Sequence, residues 1–243
     1  DGGMLVSSST DLPDGRTVAV VTRFTAVGGI LWSRSYSSSY NFHSGAAVQE
    51  AADGTLYFLQ YVAPSINVNS RSVLSHLSST GNVLWSRMIR QGTVSLAIFS
   101  AVAAPDGGVV LAGTAGSSTT RGVILELDPV GKLLWSKALQ IAGSSVAINS
   151  VSLSFTGDSL LIAACVFPNT TTDVDAALLQ LSIHGNLDGG CGALPLAPLA
   201  ASAFSVAIAS NSFTQPAVTY STSLPAVSTS GVTLISGRVC ASQ

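Results

Sequence analysis

The chain has 243 residues, of which 47% are apolar and 9% charged, and its formal net charge is -2. Such a chain is too apolar to stay disordered, is long enough to bury a core as one large β domain or two small ones, and has no basic excess with which to grip nucleic acid or anionic lipid. Its polar share is 38 Ser and 19 Thr against two Lys, a surface solvated by hydroxyls of the kind that suits secreted or surface-exposed proteins.

The chain opens on Asp1-Gly2-Gly3, with no initiator Met, basic n-region or apolar h-region, and reads as a mature form or a fragment. A first repeat, residues 1–42, enters at the second strand of a four-stranded unit and carries Leu31-Trp32-Ser33-Arg34 after a turn glycine, Gly29. The second repeat, 43–94, contains Asp53-Gly54-Thr55 and, after Gly81, Leu84-Trp85-Ser86-Arg87. The third, 95–145, contains Asp106-Gly107-Gly108 and, after Gly131, Leu134-Trp135-Ser136-Lys137. The Trp tetrapeptides are 53 and 50 residues apart and the Asp-Gly markers 52 and 53, two interleaved markers keeping one period. A fourth repeat, 146–200, has the degenerate marker Thr156-Gly157-Asp158 and ends without a Trp at Gly185-Asn186-Leu187-Asp188. Residues 201–243 make a partial closing repeat, in which 204–210 reads as a first strand and 231–239 as a second, separated by a Pro/Ser/Thr-rich insertion.

The third repeat has the clearest boundaries. Residues 100–104, 109–114, 123–127 and 132–139 are apolar, β-branched runs bounded by Pro105-Asp106-Gly107-Gly108, a Gly-Ser-Thr loop and Asp128-Pro129-Val130-Gly131, with Asp-Gly supplying the positive φ of a two-residue hairpin turn. Four short strands per repeat of about 50 residues predict an antiparallel sheet that cannot bury its own faces and must stack on its neighbours. The fold class that follows is all-β, a single domain over 1–243: a β-propeller of four to five four-stranded antiparallel blades, closed by pairing of N- and C-terminal strands. An open array completed by another chain has the same local pattern. No stretch of about 20 apolar residues is free of Pro and Ser, so no membrane span is expected.

The pattern Leu125-Glu126-Leu127-Asp128 with Gly131-Lys132-Leu133-Leu134-Trp135-Ser136-Lys137, together with Asp-Gly-Gly and the strand Leu111-Ala112-Gly113, resembles the propeller repeats of secreted bacterial proteins. It is also similar to the tryptophan-docking repeat of pyrroloquinoline-quinone propellers. The resemblance covers roughly residues 1–190 and implies an extracytoplasmic location and binding or scaffolding rather than catalysis. The chain is too short for the larger quinoprotein ring and has no matching cofactor constellation, so no cofactor is expected.

Trp32, Trp85 and Trp135 are read as blade-packing residues. Arg34, Arg87 and Lys137 repeat two residues further along on the same strand face; they either stack and reach carbonyls at a blade rim or form a partial ring for an anionic ligand. Cys165 lies in an apolar run and reads as a buried strand residue, leaving Cys191 and Cys240 as the disulfide candidate. His43, His76 and His184 fall in different repeats without metal-ligand spacing and read as surface or turn histidines. Asp11 with Asp14, and Asp173 with Asp175, are weak calcium candidates on loops of one face, against solvated turn carboxylates as the ordinary reading. Asn169-Thr170-Thr171 is a glycan acceptor pattern. The 49 residues 189–237 contain no Asp, Glu, Lys or Arg, which fits a buried closing blade or a contact surface. No triad, zinc motif or phosphate loop is readable. The expectation is a noncatalytic secreted or cell-surface module that binds a protein partner or copies of itself; a lectin-like propeller that binds carbohydrate is the alternative, with a secreted enzyme behind it.

Overall fold

The computed structural model describes residues 3–64, 71–90, 96–116, 120–139, 144–168, 174–185, 194–195, 200–203 and 207–210. Among the described residues the regular elements are all strands. β1 (Met4–Asp11), β2 (Thr17–Phe24) and β3 (Ile30–Ser37) form a three-stranded antiparallel meander. β4 (Phe42–Glu50), β5 (Leu56–Ala63), β6 (Arg71–Leu77) and β7 (Val83–Arg90) form a four-stranded one, as do β8 (Leu96–Ala103), β9 (Val109–Ala115), β10 (Arg121–Leu127) and β11 (Leu133–Leu139). β12 (Ser144–Leu153), β13 (Ser159–Pro168) and β14 (Asp175–Ser182) complete the series. The first meander begins with the counterpart of β5, the phase read from the Asp-Gly markers. A single parallel bridge, Thr17 to Phe42, links it to the second.

The hairpin turns repeat in detail. In the first turn of the third meander the Ala104 amide donates to the Gly108 carbonyl and the Gly107 amide to the Ala104 carbonyl, with Gly107 at φ 86°. This is a three-residue loop whose last residue is left-handed, rather than the two-residue turn expected from Asp-Gly; the glycine sits where the extra residue of a bulge is accommodated. Ala51 to Thr55 repeats the same pair of bonds, and Asp128 to Lys132 repeats them at the second turn.

Burial explains why second and third strands read as unbroken apolar runs. On β5, Leu56 and Phe58 pack with Ala19, Val21 and Tyr36 of the first meander. Tyr57 and Leu59 point the other way and pack with Ile98, Leu111 and Leu125 of the third. On β9, Val109 and Leu111 face the second meander, and Val110 and Ala112 face Val146, Ile148, Leu160 and Ile162 of the fourth. The four sheets therefore stack face to face in chain order, and the middle two are buried on both faces. Sheets of this kind carry no polar alternation.

The C-terminal strands differ from expectation. β15 (Leu194–Pro195) pairs with β11, β16 (Ala200–Ala203) with β7 and β17 (Ala207–Ser210) with β3, all antiparallel. The chain thus runs back along the outermost strands of the third, second and first meanders in turn, where it satisfies backbone groups that an edge would leave open. Residues 207–210 add to the last strand of the first meander and do not supply its missing first strand. Residues 231–239 lie outside the described residues.

Leu111 is fully buried between two sheets. Leu111→Ala is expected to cost about 2–5 kcal/mol. Urea unfolding should show a lower midpoint at unchanged m.

Candidate functional site

The repeated Trp tetrapeptides build the seams between sheets. Alternate residues of a strand share a face, so Trp32, Arg34 and Tyr36 of β3 reach out together. Trp32 Nε1 donates to the Ser79 carbonyl at 3.1 Å, Arg34 Nε to the Thr80 carbonyl at 2.7 Å and Tyr36 Oη to the Gly81 carbonyl at 2.9 Å. One strand face thereby takes three successive carbonyls of the next repeat's turn. The second seam has the same form: Trp85 Nε1 donates to the Pro129 carbonyl at 2.9 Å and Arg87 Nη2 to the Val130 carbonyl at 3.1 Å. The Arg87 guanidinium also lies 5.3 Å from the Trp85 ring centroid, a cation–π contact. At the third seam the Trp135 ring lies against Gly185, while its indole N–H donates to the Glu126 carboxylate. Lys137 holds the corresponding place on β11, opposite Ile124.

A glycine is required at each seam. Gly81, Gly131 and Gly185 have φ of 81°, 80° and 71°. A Cβ on Gly81 would sit 2.7 Å from Arg34 Cδ and 3.0 Å from Trp32 Cζ3, and one on Gly185 would sit 2.6 Å from Trp135 Cζ3. The missing side chain is what lets the indole lie flat on the turn.

A second periodic position, five residues before each of these glycines, was not singled out in the sequence. His76, Glu126 and Gln180 stand there, and Arg23 holds the same place before Gly28; Arg23, His76 and Glu126 each lie directly across the ladder from a Trp: Trp32, Trp85 and Trp135. Arg23 forms an ion pair with Glu50 at 2.8 Å. His76 stacks on Tyr57 at 4.6 Å between centroids and shares a 2.8 Å hydrogen bond with Thr55 Oγ1. Glu126 is only 4% exposed, and burial pushes its carboxyl pKa up, opposed by the Trp135 hydrogen bond. Its fixed offset from the turn glycine is the signal that could have found this position.

His43 and His76, read as surface or turn residues, are buried at 0% and 8% exposure. His43 heads a polar chain that takes one side chain from each strand of the second meander. The Ser38 amide donates to His43 Nε2 at 3.0 Å, His43 Nδ1 contacts Gln60 Oε1 at 3.2 Å, Gln60 Nε2 donates to Ser75 Oγ at 3.4 Å, and Ser75 and Ser86 hydroxyls meet at 2.8 Å. Because the amide can only donate, Nε2 must accept and Nδ1 carries the proton, so the imidazole is held neutral. The chain satisfies polar groups inside a sheet buried on both faces.

The remaining candidates have partners of their own or lie outside the described residues. Asp11 accepts from Thr17 Oγ1 at 2.6 Å, and Asp14 pairs with Arg16 at 2.8 Å, both within the β1–β2 hairpin. Asp175 opens β14, and Asp173 lies outside the described residues. Among the described residues there is no group of three His, Cys, Asp or Glu placed to hold a metal ion. Cys165 is a free thiol, half-buried rather than buried, on the side of β13 turned away from the third meander, with Asn149 Nδ2 at 3.1 Å from its sulfur. Cys191, Cys240 and Asn169 lie outside the described residues.

Burial lowers the pKa of His43 and of His76, partly opposed by the Gln60 hydrogen bond and the Asp53 charge respectively. The unfolded chain therefore binds protons first as pH falls, and stability is full above an ordinary histidine pKa of about 6.5 and declines below it. Thermal melts from pH 7.5 to 5.5 should show this decline, and the His43→Gln/His76→Gln variant should flatten it. The seams predict a contrast between two glycines. Gly54→Ala, at φ 80° with nothing within 4 Å of the new Cβ, is expected to cost about 1–2 kcal/mol from backbone strain alone. Gly81→Ala adds a clash with Arg34 and Trp32 and should cost about 2–5 kcal/mol, read by denaturant titration. The chain matches no protein-family model, and a search of curated proteins returns no relative.

Proposed function

We propose that the chain is a noncatalytic extracellular structural module, a β-propeller of four-stranded blades that acts by assembling with copies of itself or with a protein partner. The seam carries this reading. At the first two seams the repeated aromatic and cationic side chains, the groups a repeated ligand pocket would need, are directed instead at the turn carbonyls of the next repeat. The low charge of the chain supports it, since an uncharged surface associates without desolvating ions. Stacked sheets, each covered by the next, are also the local arrangement from which a propeller is made. Among the described residues no helix is long and apolar enough to cross a membrane, which is consistent with a partner other than a bilayer core.

The native mass decides it. Light scattering over a concentration series, with negative-stain images of the same sample, is expected to show species above 24.6 kDa that grow with concentration. A stable 24.6 kDa monomer throughout would sink self-assembly.

A further inference from the structure

The fourth meander has one covered face and one open face. Leu160, Ile162 and Ala164 of β13 pack on the third meander. The alternate residues Leu161, Ala163, Cys165 and Phe167, with Ala176 and Leu178 of β14 in register beside them, point the other way. Leu178 is 77% exposed and Phe167 40%. The corresponding position, seven residues before each turn glycine, is Val21, Leu74 and Ile124 in the other three repeats, and each of those is fully buried against the following sheet. The fourth meander thus presents, exposed, the kind of face that in the other three repeats is covered by the following sheet.

We propose that this face is the self-association surface and that its occupant is the same face of a second copy. Three observations point to a copy. Precedent within the chain makes a homologous sheet the natural cover for such a face. No Asp, Glu, Lys, Arg or His stands in β12, in β13 or at positions 176–182 of β14, so a two-fold contact through these residues brings no like charges together. The opposite end of the stack is closed to it: on β2, Ala19 and Val21 face the second meander, while Val18 and Val20 face outward and are 3% and 0% exposed. Head-to-tail stacking of copies into a filament is therefore blocked, and the contact closes as a dimer. The inference rests on the self-assembly proposed above and names its surface.

Cys165 lies within the face and reports on it. The full chain is labelled with a maleimide over a concentration series, with labelling at Cys165 read from its own peptide, alongside light scattering of wild type and Leu178→Asp. Expected are a mass that doubles with concentration, Cys165 labelling at least tenfold slower in the dimer than in the dilute monomer, and at least tenfold weaker association for Leu178→Asp. Ala163→Glu serves the same purpose should Leu178→Asp not fold. If both variants associate as wild type does, the copies meet through another surface: this inference is overturned and self-assembly stands. A monomer whose Cys165 is protected at every concentration means that the face is not free to receive a copy, which also overturns the dimer. Rapid labelling of a monomer at all concentrations removes both this inference and the self-assembly reading.

Discussion

The structure depends on an indole lying on a glycine. Each sheet is apolar on both faces and cannot exist in water alone, and burial by itself would let neighbouring sheets slide past one another, since apolar contact is non-directional. The Trp-cation pair on the last strand of one repeat and the left-handed turn of the next remove that freedom. Hydrogen bonds to successive carbonyls fix position along the turn, and the bare Cα fixes the depth of approach. The recurrence of these groups at one period means that the first two seams are made in the same way.

The third seam departs from the other two in an informative way. Trp32 and Trp85 each donate across the seam to the next repeat, whereas Trp135 turns its N–H back onto Glu126 of its own sheet. The ring still packs on Gly185, so the apolar part of the contact persists while the indole N–H is bonded within its own sheet. This last step coincides with the loss of the Trp marker in the fourth repeat. It leads to the sheet on whose far face Leu178 is 77% exposed.

Polar groups inside these sheets follow one rule. Where a strand buried on both faces carries His43, Gln60, Ser75 or Ser86, the groups are linked across all four strands, because a single unpaired donor there costs about 1–3 kcal/mol. The Ser75–Ser86 pair recurs in the first meander as Thr22 and Ser33, whose hydroxyls meet at 2.9 Å, while the third meander has Leu125 opposite Ser136; the extension through Gln60 to His43 is particular to the second. It gives the second sheet a specific internal register, and the neutral His43 makes that register sensitive to acid.

The sequence by itself determined the period, the phase, the strand composition of each repeat and the residues of the seams, since these are local facts: a left-handed glycine, an alternation of side chains and a Trp at a fixed offset each leave a mark within a few residues. It also pointed to an all-β chain made of stacked sheets. It mistook the turn type, because Asp-Gly satisfies positive φ in two-residue and three-residue loops alike, and only the hydrogen-bond pairing separates them. It misplaced His43 and His76, because a histidine beside a serine carries no sign of which face its strand buries. Tertiary structure alone decided that 194–195, 200–203 and 207–210 pair with the outer strands, because backbone pairing is indifferent to side chains and any uncharged segment can add to an edge. It alone decided which sheet keeps an open face, because Val21, Leu74, Ile124 and Leu178 look alike in sequence and differ only in whether another sheet follows.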